Sequence, residues 1–471
     1  IDDAIRELLE MHGIAQERLP SLIPPLRSLV RSFTDLKQTE IAYLRLISYD
    51  PKLFKDPTLY NDAIVNIFTR LNTAGRTLTR QEITFAWIKS CWDSGKTNGL
   101  DAQACFQSLR KGLADKALPI EMDQVVKGIS STWSALRGNG LLLSDRDLLR
   151  GETIRPMATD VCALWGVIER SANAVTQKIS ERDFEHQRTF VSLNAVFVMW
   201  GWWALYEEWL SLHPLKVVEK HNLTKGVTDA LMKYLDRWLV LTHWAGKWSS
   251  STDATFGEYV ADLAKLRETI VSEQAYDQVV LHMEGRLSSW INSLKGAAEN
   301  HIDRLQAQDR RGVRAYYVPL WIWHRLGKRR WETSRLALQT NTRKSPLLEV
   351  DHLVSVDLTT QLSAAVGATP DPLLLNSIGN CSLLWKSFNV AKSAKPLDEF
   401  LGEVSEYKNK QFGRWMIAMR TRRSLLNPSN ATTAIGSADL EALSKSIRWR
   451  EERMKADLVS YIRGGKDRVD L

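Results

Sequence analysis

Between about residues 116 and 300 the apolar residues recur every three or four positions, as in "LMKYLDRWLVLTHW" and "YVADLAKLRETIVSE", and no run alternates apolar with polar residues over a convincing length. Apolar groups at that spacing line one side of a helix but would be scattered over both faces of a strand, so this stretch is restricted to packed helices. Within it lies "FVSLNAVFVMWGWWALY", Phe190 to Tyr206, 17 residues without a charge. A bilayer span needs about 20 consecutive apolar residues. This run is shorter, contains Ser192 and Asn194, and has amphipathic, charged neighbours, so it predicts a helix buried on every side with its tryptophans in the core.

Helical spacing extends toward the start of the chain. "IDDAIRELLEMHGI" carries Ile5, Leu8, Leu9 and Met11 on one side, and "YNDAIVNIFTRLN" repeats the pattern with Ala63, Ile64, Ile67, Phe68 and Leu71. "LNTAGRTLTRQEITFAWIK" then stops and restarts a helix. Gly75 suits the turn, Thr79 is an N-cap with Glu82 as its capping-box partner, and Ile83, Trp87 and Ile88 continue the apolar face. Loops rich in Gly, Ser and Asp are expected at Leu136 to Asp147 and at Asn427 to Asp439.

With 471 residues the chain exceeds one ordinary core, and at roughly 150 residues per domain it predicts two to four units. The divisions fall at residues 1–115, 116–300 and 301–471. Hydrophobic residues at 44% against 25% charged are a globular rather than a disordered composition, and the 18 tryptophans fit a fold of large interlocking side chains. Cys91, Cys105, Cys162 and Cys381 form no CxxC pair, which argues against a disulfide framework and a zinc ribbon and makes a reducing cytoplasm the expected compartment. No basic-apolar-small leader opens the chain, and no membrane partner is expected. Starting at Ile1 inside a helical pattern, the sequence reads as a fragment of a longer polypeptide.

The net charge of +8 is unevenly spread, with eleven Lys or Arg against four Asp or Glu between His301 and Val350. A local positive field of that kind suits a polyanion such as nucleic acid. Here the pattern changes too. "LLEVDHLVSV" and "SIGNCSLLWKS" read as short β segments, and "FNVAKSAKPLDEFLGEV" reads as a helix, giving strand, long loop, strand, helix.

Polar residues punctuate this frame: Asp351 and His352 on the first strand, Asn380 before the second, Asn389 where the helix begins. A hard cation such as Mg2+ or Mn2+ takes oxygen ligands and keeps several waters, so Asp351 and Asn389 suffice as protein ligands. His352, with an ordinary histidine pKa of about 6.5, suits a base that takes a proton from water. Glu349 and Asp357 are further carboxylates close by, Glu349 on the side of Asp351. Lys392 and Lys395 are placed to hold a phosphate, and Arg422 and Arg423, within "GRWMIAMRTRRSLL", to follow a DNA backbone.

The segment resembles an HNH nuclease domain of the ββα-metal type, with Asp351 and His352 as metal ligand and base, Asn380 as the residue bracing the loop, and Asn389 as second ligand. "SIGNCSLLWKSFNVAKSAKP" is similar to the HNH half of GmrSD-like restriction proteins. "IFTRLNTAGRTLTRQEI", Ile67 to Ile83, resembles a stretch near the end of that family's ParB-like nucleotide-hydrolysing domain. The resemblance implies a mainly α protein with a small α+β module: part of a ParB-like regulatory domain at 1–115, a helical middle at 116–300, and an HNH domain with basic flanking helices at 301–471. It further implies metal-dependent DNA nicking in antiphage defence, directed by phosphorothioate or modified cytosine as in SspE-like and GmrSD-like members. Modification-system or defence proteins and a second copy of the chain are the implied protein partners. Two departures stand out. Ser355 replaces a common proline, and the family's Asp-Gly-Gln-Gln-Arg motif is absent from these residues, so a nucleotide triphosphate is expected to bind only with residues outside this chain. A non-catalytic DNA-binding or nucleotide-sensing module, and an RNA-directed HNH nuclease, stay open as alternatives.

Overall fold

The computed structural model describes residues 2–12, 16–38, 79–116, 118–148, 151–181, 192–249, 252–309, 311–326, 348–367, 369, 371–385 and 437–464. These are mainly helical, with one small two-stranded antiparallel sheet. The chain divides into two units, Ile1–Phe68 and Thr69–Leu471. In the first, α1 (Asp2–Met11) packs on α2 (Leu19–Gln38) through Ile5, Leu19 and Ile23, with Leu9 and Leu26 at the margin. Arg27 also reaches the carboxylate of Asp2.

In the second unit α3 (Arg80–Ser90) starts at the predicted cap. Thr79 Oγ1 accepts from the Glu82 N–H at 3.2 Å, and the Glu82 carboxylate accepts from the Thr79 N–H at 2.7 Å. Two helix-end donors are thereby satisfied reciprocally, and Trp87 and Ile88 face the core. α4 (Ala102–Asp115), α5 (Met122–Leu136), α6 (Gly151–Ala163) and α7 (Trp165–Glu181) follow. Phe106 of α4 stacks on Trp165 of α7, ring centres 5.1 Å apart.

The uncharged run forms α8 (Asn194–Leu212), where every residue from Asn194 to Tyr206 is buried. Enclosing it are α5, α7, α9 (Val217–Trp244) and α10 (Thr252–Val271), the place for a helix apolar all round. α5 approaches closely because Gly128 has no Cβ; one would stand 2.4 Å from Trp200 and 2.8 Å from Phe197. Three of the buried indoles here find a backbone acceptor. Trp202 donates to the Met283 carbonyl (3.2 Å), Trp209 to that of Glu273 (3.0 Å) and Trp238 to that of Ala195 (2.8 Å), so these rings fix helix positions as well as filling space. Glu208, buried at the end of α8, is paired with Arg137 and Arg267. Among the described residues no helix is long and apolar enough to cross a membrane, and all four cysteines are free thiols.

α11 (Tyr276–Asp303) runs beside α9 in the same direction: Gly226 lies against Val280, Lys233 pairs with Glu284 at 2.7 Å, and the rings of Trp238 and Trp290 are 5.2 Å apart. Then come a 3-10 turn (Gly312–Tyr316), α12 (Tyr317–Leu326), β1 (Leu348–His352), α13 (Val356–Ala365), β2 (Cys381–Trp385) and α14 (Ser437–Arg463). α14 runs back along α11, with Arg463 on Glu299 at 2.9 Å and Lys455 donating to the Asp303 carbonyl at 3.3 Å.

Between the strands, where the sequence predicts a long loop, the chain forms α13. Ser355 is the reason. Its hydroxyl accepts from the Leu358 N–H at 3.1 Å, and Asp357 stands in the first turn, where negative charge favours a helix. The first strand therefore ends at His352, and Asp357 is exposed on a helix.

His243 near the end of α9 and His301 near the end of α11 are both held below the ordinary histidine range, His243 by burial and then by the nearby His301, and His301 by burial. In the unfolded chain each takes up a proton near about pH 6.5, which the folded chain resists. Stability is therefore full above that value and is lost as pH falls from there toward the lower folded values. Urea midpoints measured between pH 7.5 and 5 should fall with pH, and the double variant His243→Gln/His301→Gln should show a flatter dependence over that window.

Candidate active site

β1 and β2 pair antiparallel, with Asp351 opposite Ser382 and His352 opposite Cys381. The ladder continues one step beyond the strands, where the Leu353 N–H donates to the Asn380 carbonyl at 2.7 Å. Side chains alternate along a strand, so Asp351 shares a face with Glu349 and Ser382, and His352 lies on the other. Asp351 is half-buried and His352 is 7% exposed.

Asn380 is fully buried and uses its whole amide. Oδ1 accepts from the Val354 N–H (3.0 Å), while Nδ2 donates to the carbonyls of Val354 (3.1 Å) and Leu375 (3.0 Å). One side chain thus ties the exit of β1 to the entrance of β2, directly beside Asp351 and His352. Four residues earlier, the Asn376 amide bridges His352 and a backbone carbonyl: Oδ1 is 3.1 Å from His352 Nε2, and Nδ2 donates to the Gln308 carbonyl at 3.3 Å.

The turn carrying Asn380 is seated on α14. A Cβ on Gly379 would lie 2.2 Å from the Ile447 carbonyl oxygen, so no larger residue fits without displacing the helix. Beside it, Arg450 has no exposed surface; its Nη1 donates to the carbonyls of Gly379 and Cys381, each at 2.8 Å, and its guanidinium lies over the Trp323 ring at 5.0 Å. Ser377 donates to Glu451 at 2.5 Å, and Val354, Leu443 and Ile447 close an apolar cluster below. From α12, His324 Nε2 lies 2.9 Å from Ser382 Oγ and accepts from the Leu383 N–H at 3.4 Å. Arg450 and His324 therefore cover polar groups along the outer edge of β2, which would otherwise be open to another strand. Burial pushes the Cys381 thiol well up, Arg450 opposes the shift, and Asp351 and Glu451 add to it, which favours the protonated thiol.

The structure brings Asp351, His352 and Asn380 together on this hairpin. Asn389, Lys392, Lys395, Arg422 and Arg423 lie outside the described residues. Asn376, Ser377, His324 and Arg450 are additions that the sequence did not single out. Arg450 carries a recognisable signal, because it falls on the apolar stripe Leu443, Ile447, Met454, Leu458 of α14, where a cation is unexpected unless it has buried partners.

A separate cleft of about 370 Å³ lies between α3, α5 and α10, lined by Arg80, Lys127, Trp133 and Phe256 among others. Several of its polar groups are engaged with their own scaffold: Thr84 and Ser130 bond to carbonyls of their own helices, Trp133 donates to Asp160, and Lys127 pairs with Asp253. The convergent polar chemistry is at the hairpin instead. Comparison of the chain with models of protein families and with curated proteins finds no match.

Asn380→Ala removes three buried hydrogen bonds and should cost about 2–4 kcal/mol in urea unfolding, since unpaired buried polar groups cost about 1–3 kcal/mol each. At neutral pH Asn380→Asp should be no better, because a carboxylate would face the Val354 and Leu375 carbonyls. Wild-type midpoints for both variants would refute the brace.

Proposed function

We propose that this chain is a metal-dependent phosphodiesterase of the HNH type that nicks DNA. The observation that carries the reading is the Asn380 brace, which holds an Asp-His pair at the end of a strand hairpin, the arrangement that the resemblance in sequence calls for. His352, rigidly seated at the strand end, takes a proton from the attacking water. Asp351, half-buried with Glu349 on the same face, offers oxygen donors, and such a set with few protein ligands fits a hard cation that keeps several waters. Mg2+ or Mn2+ held by Asp351 and Asn389 would supply positive charge to the scissile phosphate and its leaving oxygen. Lys392, Lys395, Arg422 and Arg423 are proposed contacts to neighbouring phosphates. One such site handles one phosphodiester at a time, hence a nick.

The resemblance extends the proposal to antiphage defence, with cutting licensed by a DNA modification and regulated by a nucleotide through the ParB-like part of the protein. The test is conversion of supercoiled plasmid to open circles with and without Mg2+, on unmodified, phosphorothioate and modified-cytosine DNA. His352→Ala should lower the rate by about 10²–10⁴-fold, the range for losing a positioned base, with DNA binding retained. Asp351→Ala should abolish the response to Mg2+. Equal nicking by the wild-type and His352→Ala proteins would overturn the reading.

A further inference from the structure

We propose that Asn376 is a positioning residue that fixes which nitrogen of His352 carries the hydrogen, and so makes Nδ1 the atom that receives a proton. The inference rests on the nuclease reading for its catalytic meaning but on geometry alone for the ring. Asn376 follows the turn Pro372–Leu375, is 7% exposed, and has its own N–H bonded to the Pro372 carbonyl at 3.0 Å, so its side chain leaves a fixed backbone.

Its amide can be oriented in one way only. The Gln308 carbonyl, 3.3 Å from Nδ2, is purely an acceptor, so the NH2 group must face it. Oδ1 is thereby turned to His352 Nε2 at 3.1 Å. An amide oxygen is also purely an acceptor, so Nε2 must be the protonated nitrogen, and in the neutral imidazole the lone pair then resides on Nδ1. The flipped amide would set NH2 against Nε2 and oxygen against oxygen at Gln308, losing one bond and adding a repulsion. Gln308 belongs to the segment after α11, outside the hairpin, so the ring of His352 is referenced to the helical body as well as to its own strand. A base held in one tautomer and one orientation needs no rearrangement before it accepts a proton.

The test uses the full chain with histidine-selective 15N labelling, His352 being assigned by the signal lost in His352→Gln. Long-range proton–nitrogen correlations at neutral pH should place the hydrogen on Nε2 in the wild-type protein. Asn376→Leu, similar in volume but without an acceptor, should lose the single tautomer and lower the kcat of Mg2+-dependent nicking by about 10- to 100-fold, as for outer partners of metal-site histidines, with KM for plasmid unchanged. Asn376→Asp, which keeps an acceptor beside Nε2, should restore the Nε2–H form. A wild-type His352 protonated on Nδ1, or an unchanged tautomer in Asn376→Leu, would overturn the proposal; the wild-type measurement decides it even if the variants do not fold. If the wild-type chain does not nick DNA yet the ring behaves as described, the nuclease reading fails and the Asn376 assignment stands.

Discussion

A guanidinium with no exposed surface joins the hairpin to the C-terminal helix. Removing a charged group from water is costly unless it is compensated, and Arg450 is compensated at Nη1 by the Gly379 and Cys381 carbonyls and across its plane by the face of Trp323. The dependence is mutual. Without the arginine, two carbonyls at the entrance of β2 lose their donors in a place water does not reach; without the carbonyls, the arginine is a stranded charge. Trp323 is held in turn by Asp457 at 3.0 Å, one of the residues on α14 itself, so α12, β2 and α14 close on one another through a single cation.

An isolated two-stranded hairpin is marginal in water, which explains why this one is supported from both ends. His324 from α12 and Arg450 from α14 occupy the outer edge of β2, while Asn380 ties β1 to the turn seated on Gly379. Two asparagines four positions apart divide the labour: Asn380 shapes the backbone and Asn376 shapes the histidine. Both work through amides whose donor and acceptor ends are each used, and at Asn380, where two carbonyls need a donor, no carboxylate of similar size reproduces the bonds.

Much of the fold can be read from local spacing. The uncharged run Phe190 to Tyr206 announces α8, the pair Thr79 and Glu82 announces the start of α3, and the apolar segments around Asp351 and Cys381 announce the two strands. Each of these is determined by neighbours within a few residues. α13 is hidden because the apolar character of "HLVSV" outweighs the cap at Ser355 until the fold turns that segment away from the sheet. His324 is hidden for another reason: its partner Ser382 is 58 residues away, and nothing near His324 in sequence marks it as more than a core histidine. At the candidate site the Asp351, His352 and Asn380 pattern stands out in sequence, whereas the tautomer of His352 depends on Gln308, 44 residues upstream, and emerges only in three dimensions.

The two guards of the β2 edge come from opposite directions along the chain. His324 precedes the hairpin and is already synthesised when the strands leave the ribosome, whereas Arg450 follows β2 by 65 residues. During synthesis there is consequently an interval in which both strands, Asp351 and His352 exist while the carbonyls of Gly379 and Cys381 have no donor and the Gly379 turn has no helix to sit on. Any chain cut short between β2 and α14 is arrested in that interval, with a half-guarded strand edge available to a second such chain. The position of one arginine thus makes synthesis of α14 a condition for a closed hairpin.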